Sequence, residues 1–234
     1  MFSSTTEYKH IYFDLDRTIW DFDNNAIDTF HDIFKKYDLE KFFKTFDTFY
    51  SSYVKHNDKL WADYREGKIE KSILSYKRFS LTLEEFGVDD EALAKKIAYD
   101  YITISPTKMQ LFPYAHETLE YLHEKYKLYI ITNGFNEVQF TKLENSNLDK
   151  YFIKVFTSEN VGAQKPDPII FKHALEEVDA NKKDSLMIGD DLNVDILGAK
   201  NFGLDQIYFN PEKKKHSEDI THEISSLKEL QKIL

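Results

Sequence analysis

The sequence predicts an α/β protein, in which a doubly wound parallel sheet carries an all-helical segment inserted after its first strand. Short, almost continuously apolar runs recur in the second half of the chain, separated by segments with helical spacing. This alternation is typical of a parallel sheet covered by helices on both faces. One similar run lies near the N-terminus. The stretch that follows it contains no proline before Pro106 and shows helical periodicity only.

The first strand is predicted at residues 10–16 (HIYFDLD), a β-prone run that ends in two acids. In residues 21–105 apolar side chains recur at helical spacing, as at Phe30, Phe34 and Tyr37, and we expect four or five helices there. The predicted domains are therefore an α/β core at 1–20 and 107–234 and a helical cap domain at 21–106.

The remaining elements follow in alternation. Further strands are predicted at residues 127–132, 154–157, 185–189 and 206–209. The helices between them are predicted at residues 135–147, 168–178 and 193–202. A last helix begins at Ser226, which forms a capping-box pattern with Glu229, and the charged residues 212–223 are expected to be a solvated loop.

Composition limits the cellular setting and the partners. The 234 residues suit one α/β domain with an insert, and the absence of cysteine excludes disulfides and thiolate metal sites. A net charge of −10 argues against a nucleic-acid polymer as partner, but a local site can still bind a small anion. No apolar run approaches the roughly 20 residues of a membrane span, and the N-terminus lacks a secretory signal pattern. We therefore expect a cytoplasmic protein with no membrane partner.

Four polar clusters are expected to meet at one edge of the sheet. They are Asp14-Leu-Asp16-Arg-Thr18, Thr132-Asn-Gly134, Lys165-Pro166 and residues 189–195 (GDDLNVD). Three of them follow predicted parallel strands, and the lysine cluster begins the helix after another. Each cluster alone could be a turn or a helix cap. Ligands of open α/β sheets bind at the carboxyl ends of the strands, so the four together predict one crevice with a function.

The charges of these clusters suit a phosphate monoester. Such a dianion repels nucleophiles, so a site that attacks it must first neutralise charge. Asp14, Asp16, Asp190 and Asp195 would raise one another's pKa values unless a cation bound them, and Mg²⁺ prefers such oxygen ligands. Lys165 adds a second positive charge.

The remaining groups suit phosphate binding and attack. The Thr132 hydroxyl and the backbone N–H groups near Asn133 and Gly134 can bind phosphoryl oxygens. Without cysteine, and with no suggestive Ser–His pair, the nucleophile is expected to be a carboxylate. The two-residue spacing of Asp14 and Asp16 lets one attack while the other protonates the leaving oxygen and later activates water.

DLDRT, ITNG, the lysine of QKPD and GDDLNVD resemble the four motifs of the haloacid dehalogenase (HAD) superfamily, in the branch with a helical C1 cap after motif one. Closer phrases resemble the YjjG/YfnB-type pyrimidine 5′-nucleotidases. They are LWADYREGKI in the cap, ITNGFNEVQ and SENVGAQKPDPIIF. The resemblance implies a Rossmann-like core and Mg²⁺ as cofactor. Trp20 departs from the family pattern, in which an aliphatic residue is commoner.

The resemblance also implies roles for the motif residues. Asp14 would be the nucleophile and a metal ligand. Asp16 would be the general acid/base and would give its backbone carbonyl to the metal. Asp190 would be the remaining carboxylate ligand, and Lys165 would bridge the phosphate and the nucleophile.

Other motif positions would support these groups. Thr132, Asn133 and Gly134 would bind the phosphate. Asp195 and Asp191 would lie behind the ligands, and Asp195 would orient Lys165 or a metal-bound water. Asp191 stands where many relatives carry a small polar residue.

The resemblance implies a phosphomonoesterase that acts on a small phosphorylated metabolite, and its substrate would be a pyrimidine nucleoside monophosphate. We expect the protein to be a monomer or a weak homodimer. Trp61, Tyr64 and Arg65 are the cap residues expected to contact substrate, although packing explains them equally well. A sugar-phosphate phosphatase, a phosphomutase and a catalytically inactive phosphate-binding protein remain alternatives. A dehalogenase is disfavoured, because Asp16 supplies an acid/base that carbon–halide displacement does not require.

Overall fold

The structure is a computed structural model that describes residues 7–234. The chain divides into two compact units. The α/β unit comprises residues 7–22 and Met109–Leu234, and the helical unit comprises Asp23–Lys108. We describe each unit by itself.

The helical unit is built from five helices, which agrees with the predicted four or five. They are α1 (Phe22–Lys36), α2 (Glu40–Phe43), α3 (Phe46–Arg65), α4 (Lys71–Glu84) and α5 (Glu91–Ile104). Side-chain caps begin two of them, because Thr45 accepts a bond from the N–H of Thr48 and Asp90 from that of Leu93. The core of this unit is aromatic, with the buried ring of Phe30 at its centre.

The α/β unit contains one six-stranded parallel sheet, which confirms the predicted fold class. Its strands are β1 (His10–Phe13), β2 (Lys127–Thr132), β3 (Lys154–Thr157), β4 (Ser185–Gly189), β5 (Asp205–Phe209) and β6 (His222–Ile224), in the order β3-β2-β1-β4-β5-β6. The strand order therefore reverses at β1, which lies between β2 and β4. Phe13 is level with both Ile130 and Ile188, so the carboxyl ends of these three strands lie together.

Helices cover both faces of the sheet. They are α6 (Ala115–His123), α7 (Asn136–Asn145), α8 (Ser158–Val161), α9 (Pro168–Glu176), α10 (Leu197–Phe202) and α11 (Leu230–Ile233). Alternate residues of the strands enter different apolar clusters, Ile11 and Phe13 in one and Tyr12 in the other. All are buried, which explains why the strands are apolar runs without a polar face.

The structure differs from the predicted elements in several places. β1 ends at Phe13 instead of residue 16, α8 was not predicted, and the last helix, α11, begins at Leu230 after a 3₁₀ turn. α6 was not predicted, and neither was β6, which begins within the segment expected to be a loop. β6 has three residues, of which only Ile224 is buried, so it gives no apolar run. The helix predicted at 193–202 begins instead with one π-helical turn, Leu192–Ile196, before α10. In the described part of the chain, no helix is long and apolar enough to cross a membrane.

Candidate active site

The candidate site is built at the carboxyl ends of β1, β2 and β4. Asp14 directly follows β1, Thr132 ends β2, and Asp190 directly follows β4. The backbone N–H of Asp14 donates to the carbonyl of Ile188, at 2.8 Å, and so joins the end of β1 to β4. Three of the four predicted clusters therefore lie at one edge of the sheet, beside the point where the strand order reverses.

Lys165 brings the fourth cluster to the same place. Its side chain is buried, with Nζ 2.5 Å from Asp14 Oδ1 and 2.8 Å from Asp195 Oδ1, and it donates to the carbonyl of Ile131 at 2.7 Å. Burial alone would lower the pKa of Lys165, but the Asp14 and Asp195 carboxylates outweigh it and hold the pKa above its usual value. The lysine is therefore a fixed positive charge against Asp14.

Asn133 holds the Lys165 loop in position. Its side-chain Nδ2 donates to the carbonyl of Lys165 at 2.9 Å, and its Oδ1 accepts from the Lys165 N–H at 2.8 Å. This amide therefore links the loop after β2 to the loop that carries the lysine. The predicted contact of Asn133 with phosphate would have to come from its backbone, since its side chain is used here.

The Thr132 hydroxyl is oriented as a donor. Its Oγ1 accepts from the N–H of Gly134 at 3.1 Å and from Nε2 of Gln139 at 2.6 Å. Because a hydroxyl has two acceptor positions, its hydrogen remains for a third partner. Gly134 is required for this packing, since a Cβ there would lie 2.5 Å from Gln139 Cδ. A bound phosphoryl oxygen could accept the Thr132 hydrogen.

The Asp16 carboxylate is bound at both oxygens by α7. Lys142 Nζ donates to Oδ1 at 2.6 Å, and Gln139 Nε2 donates to Oδ2 at 3.1 Å. Burial lowers the pKa of Lys142, and the Asp16 carboxylate opposes that effect. Neither Gln139 nor Lys142 is among the site residues predicted from the sequence. The available signal was their three-residue spacing in the helix after ITNG, which places both on one helix face.

The two acids after β4 have different partners. Thr18 Oγ1 donates to Asp190 Oδ1 at 3.1 Å, whereas Asp191 Oδ1 accepts from the N–H groups of Asn193 and Val194 at 2.9 and 3.0 Å. Asp191 is therefore exposed and serves as the N-cap of the π-helical turn. Burial raises the pKa of Asp190, and the neighbouring acids add to the rise.

The carboxylates of Asp14, Asp190 and Asp195 could hold a divalent cation, because one oxygen from each lies within 4.8 Å of the other two. Burial raises the pKa of Asp14, Lys165 opposes the rise, and Asp195 and Asp16 add to it. Carboxylate oxygens are the ligands that Mg²⁺ prefers, so the donor set fits this ion. The predicted ligands were the carboxylates of Asp14 and Asp190 and the backbone carbonyl of Asp16. The structure brings the Asp195 carboxylate into the cluster, while that of Asp16 is bound by Lys142 and Gln139.

The family model of the haloacid dehalogenase-like hydrolases matches residues 8–203 of the sequence. This match includes all four polar clusters. The chain belongs to the haloacid dehalogenase-like hydrolase family.

Full-length relatives in this family include nucleotidases. Pyrimidine 5′-nucleotidase PynA of Streptococcus pneumoniae is 34% identical over 95% of this chain and 93% of its own. Pyrimidine 5′-nucleotidase YjjG of Escherichia coli is 33% identical over 96% of each chain. A glyceraldehyde 3-phosphate phosphatase of Methanothermobacter thermautotrophicus is 37% identical over 64% of this chain and 71% of its own. The resemblance to YjjG-type proteins is thereby confirmed.

The fold of this HAD hydrolase is also that of a solved relative. A crystal structure of the HAD-hydrolase YfnB from Bacillus subtilis bound to magnesium is 30% identical, with a TM-score of 0.89 over 97% of this chain and 98% of that one.

The remaining candidate residues of this HAD hydrolase lie in the helical unit. Trp61, Tyr64 and Arg65 are in the last turns of α3. The rings of Trp61 and Tyr64 are half-buried and meet edge to face, with centroids 5.8 Å apart, and Arg65 is exposed.

Proposed function

We propose that this HAD hydrolase is a Mg²⁺-dependent phosphomonoesterase that works through an aspartyl-phosphate on Asp14. One observation carries the proposal: the Asp14 carboxylate lies 2.5 Å from the buried Lys165 ammonium at the edge where the polar clusters converge. A carboxylate held against a fixed cation can approach a phosphate dianion with reduced repulsion. The Asp195 carboxylate contacts the same Nζ at 2.8 Å and so helps to fix the direction of that cation.

The proposed reaction has two half-reactions. In the first, an Asp14 oxygen bonds to phosphorus as the bond to the leaving oxygen breaks, and Asp16 gives that oxygen a proton. In the second, water attacks phosphorus, Asp16 takes its proton, and the bond to Asp14 breaks with its electron pair returning to the carboxylate. Thr132 donates a hydrogen bond to a phosphoryl oxygen in both steps, and Lys165 offsets the negative charge of the phosphoryl group.

Asp14 and Asp190, with the Asp16 backbone carbonyl, would hold Mg²⁺, and Asp195 lies within reach of the same position. Bound Mg²⁺ supplies positive charge that offsets the carboxylates and the phosphate. The first test is release of inorganic phosphate from 4-nitrophenyl phosphate with Mg²⁺. We expect EDTA to abolish turnover and added Mg²⁺, Mn²⁺ or Co²⁺ to restore it. Full turnover in metal-free buffer would contradict the mechanism.

The proposed substrates are pyrimidine nucleoside monophosphates, as in the names of the PynA and YjjG relatives. Trp61 and Tyr64 offer a stacking face, and Arg65 offers donors for the carbonyl groups of a pyrimidine. We propose that these residues recognise the part of the substrate beyond the phosphate. We further propose a monomer or weak homodimer that works in the cytoplasm.

A substrate panel tests this assignment. UMP, dTMP, AMP, GMP, glyceraldehyde 3-phosphate and hexose phosphates are compared by kcat/KM at one Mg²⁺ concentration. We expect kcat/KM for pyrimidine monophosphates to be about tenfold or more above that for any other class of substrate in the panel. A few pocket contacts supply discrimination of this size. A sugar phosphate that outperforms every nucleotide would leave the phosphatase mechanism standing and refute the nucleotidase assignment.

A further inference from the structure

Asp16 is held from one side by two residues of α7. Rotation of its carboxylate would break the bond to Lys142 at 2.6 Å, the bond to Gln139 at 3.1 Å, or both. Gln139 Nε2 also donates to the Thr132 hydroxyl. One nitrogen therefore fixes the separation between the proposed acid/base and a proposed phosphate ligand. The carboxylate can only accept, so it is Nε2 of Gln139 that faces it.

Lys142 is itself held in place. The residue is 2% exposed, and its ammonium lies 4.2 Å from the ring centroid of Trp20 and 5.5 Å from that of Phe22. Trp20 is fully buried, so its ring forms a rigid surface under the cation. This arrangement gives a reason for the aromatic residue at position 20, where an aliphatic residue was expected.

We propose that Lys142 is a positioning residue that holds the Asp16 carboxylate ready to activate the water that hydrolyses the phosphoenzyme. The inference rests on the proposed function, because it needs an aspartyl-phosphate on Asp14 and an acid/base at Asp16. It extends that function by assigning a task to a buried lysine outside the four polar clusters.

The step is balanced within the proposed reaction. Asp16 has already given a proton to the leaving oxygen and is a carboxylate when water enters. The water oxygen bonds to phosphorus, one water proton passes to Asp16, and the phosphorus–oxygen bond to Asp14 breaks. The Asp14 carboxylate recovers the electron pair. Lys142 exchanges no atom with the substrate, and its bond to Oδ1 holds the Asp16 carboxylate in one orientation.

The test is the decay of the phosphoenzyme in the full-length enzyme with Mg²⁺. Rapid quenching after mixing with 4-nitrophenyl phosphate gives the amount of phosphoenzyme and its rate constant for decay. We expect Lys142→Met to slow the decay by about 10- to 100-fold, the scale of a displaced reacting group. The phosphoenzyme should then accumulate. Nitrophenolate release in the first turnover should change less, because this leaving group needs little protonation.

Matched variants separate positioning from packing. Leu143→Met puts the same side chain at the next, equally buried position of α7, which belongs to the apolar cluster on the sheet, and we expect wild-type decay. Lys142→Arg retains the charge and should recover part of the rate. If Lys142→Met does not fold, as judged by its unfolding midpoint, Lys142→Gln is of similar length and neutral and should slow the decay in the same way.

Asp16→Asn tests the inference about Lys142 separately from the proposed function. If Asp14 is phosphorylated and Asp16→Asn decays slowly while Lys142→Met and Lys142→Gln decay at the wild-type rate, the inference about Lys142 is wrong and the proposed function stands. If the wild-type enzyme forms no phosphoenzyme on Asp14, or Asp16→Asn decays normally, the proposed function itself fails. Slow decay in Leu143→Met as well would reduce the Lys142 effect to packing.

Discussion

Two buried cations, Lys165 in the α/β unit and Arg78 in the helical unit, are held in different ways. In the α/β unit Lys165 is enclosed by the carboxylates of Asp14 and Asp195. In the helical unit Arg78 is just as buried, but it lies 5.0 to 6.0 Å from the centroids of three aromatic rings and donates to the amide of Asn57. Paired ionic groups have fixed partners and directions, whereas rings can accept a cation over a broad face.

This difference has a consequence for function. A catalytic network tolerates few changes of residue type, because each donor must meet one acceptor at a set distance. A core such as that around Phe30 can be filled by many combinations of apolar side chains. We therefore propose that the α/β unit carries the chemistry, in motifs that can be recognised in the sequence. In the helical unit, where we propose substrate recognition, the sequence pattern reflects mainly the packing of apolar side chains.

The largest expected effect is the loss of the nucleophile in the α/β unit. Asp14→Asn should lower kcat by more than about 10⁴-fold, the scale on which enzymes lose activity without their nucleophile. No adduct should form on the corresponding peptide in quenched samples analysed by mass spectrometry. A phosphoenzyme that persists in Asp14→Asn would place the nucleophile elsewhere.

A smaller loss is expected from Gly189→Ala, because a Cβ at this position would lie 2.5 Å from Asp195 Cβ and 2.6 Å from Asp195 Cγ. Displacing Asp195 moves a partner of Lys165, so kcat should fall about 10²-fold. The overpacking should also lower the free energy of unfolding by about 1–3 kcal/mol.

Gly203→Ala is the matched control for that change. Gly203 has a φ of +96°, and a Cβ added there would meet the Cδ atom of Lys182 at 3.6 Å, an ordinary van der Waals contact. An alanine there is strained by about 1–2 kcal/mol but leaves the network of Lys165 untouched. The two variants should therefore lose similar stability, measured by chemical denaturation, while only Gly189→Ala loses kcat. Equal kcat losses would mean that general destabilisation is responsible.

The same contrast decides how far the sequence could predict the structure. The strands β2, β3 and β4 have the predicted bounds, because buried parallel strands are apolar runs between turn residues. The edge strand β6 could not be found, since a single buried residue leaves no pattern. Residues next to strand ends were predictable because the topology brings those ends together.

Side-chain partners were harder to predict than positions. Asp191 and Asp195 are close in sequence and were both placed behind the metal ligands, yet Asp191 caps a helical turn and Asp195 faces Lys165. The π-helical backbone of residues 192–196 decides which of the two acids turns inward. The spacing of apolar residues in the sequence does not predict a π-helical turn. Lys142 was hidden for a similar reason, since a lysine in a helix is ordinarily exposed.

A change in the core of the helical unit should affect stability without chemistry. Phe30→Ala removes a fully buried ring whose centroid is 4.3 Å from that of Tyr53 and 4.8 Å from that of Tyr101. The free energy of unfolding of this unit should fall by about 3–5 kcal/mol. Below the transition, kcat on 4-nitrophenyl phosphate should stay near wild type, since the groups proposed for chemistry are in the α/β unit. A large loss of kcat in Phe30→Ala that is fully folded would show that the core of the helical unit also affects catalysis.

The smallest effect, and the one that most sharpens the comparison, is expected from Trp61→Ala. Removing the ring takes away the stacking face proposed for the pyrimidine, so KM for UMP should rise about tenfold, equivalent to about 1.4 kcal/mol. 4-Nitrophenyl phosphate has no base to recognise, so its kcat/KM should stay unchanged. Tyr99→Ala is the control, because Tyr99 is an aromatic residue of the same unit that is 66% exposed. Steady-state kinetics on both substrates separate the outcomes: equal losses on UMP and the aryl phosphate would make Trp61 a packing residue, whereas a loss confined to UMP would assign base recognition to α3 of the helical unit.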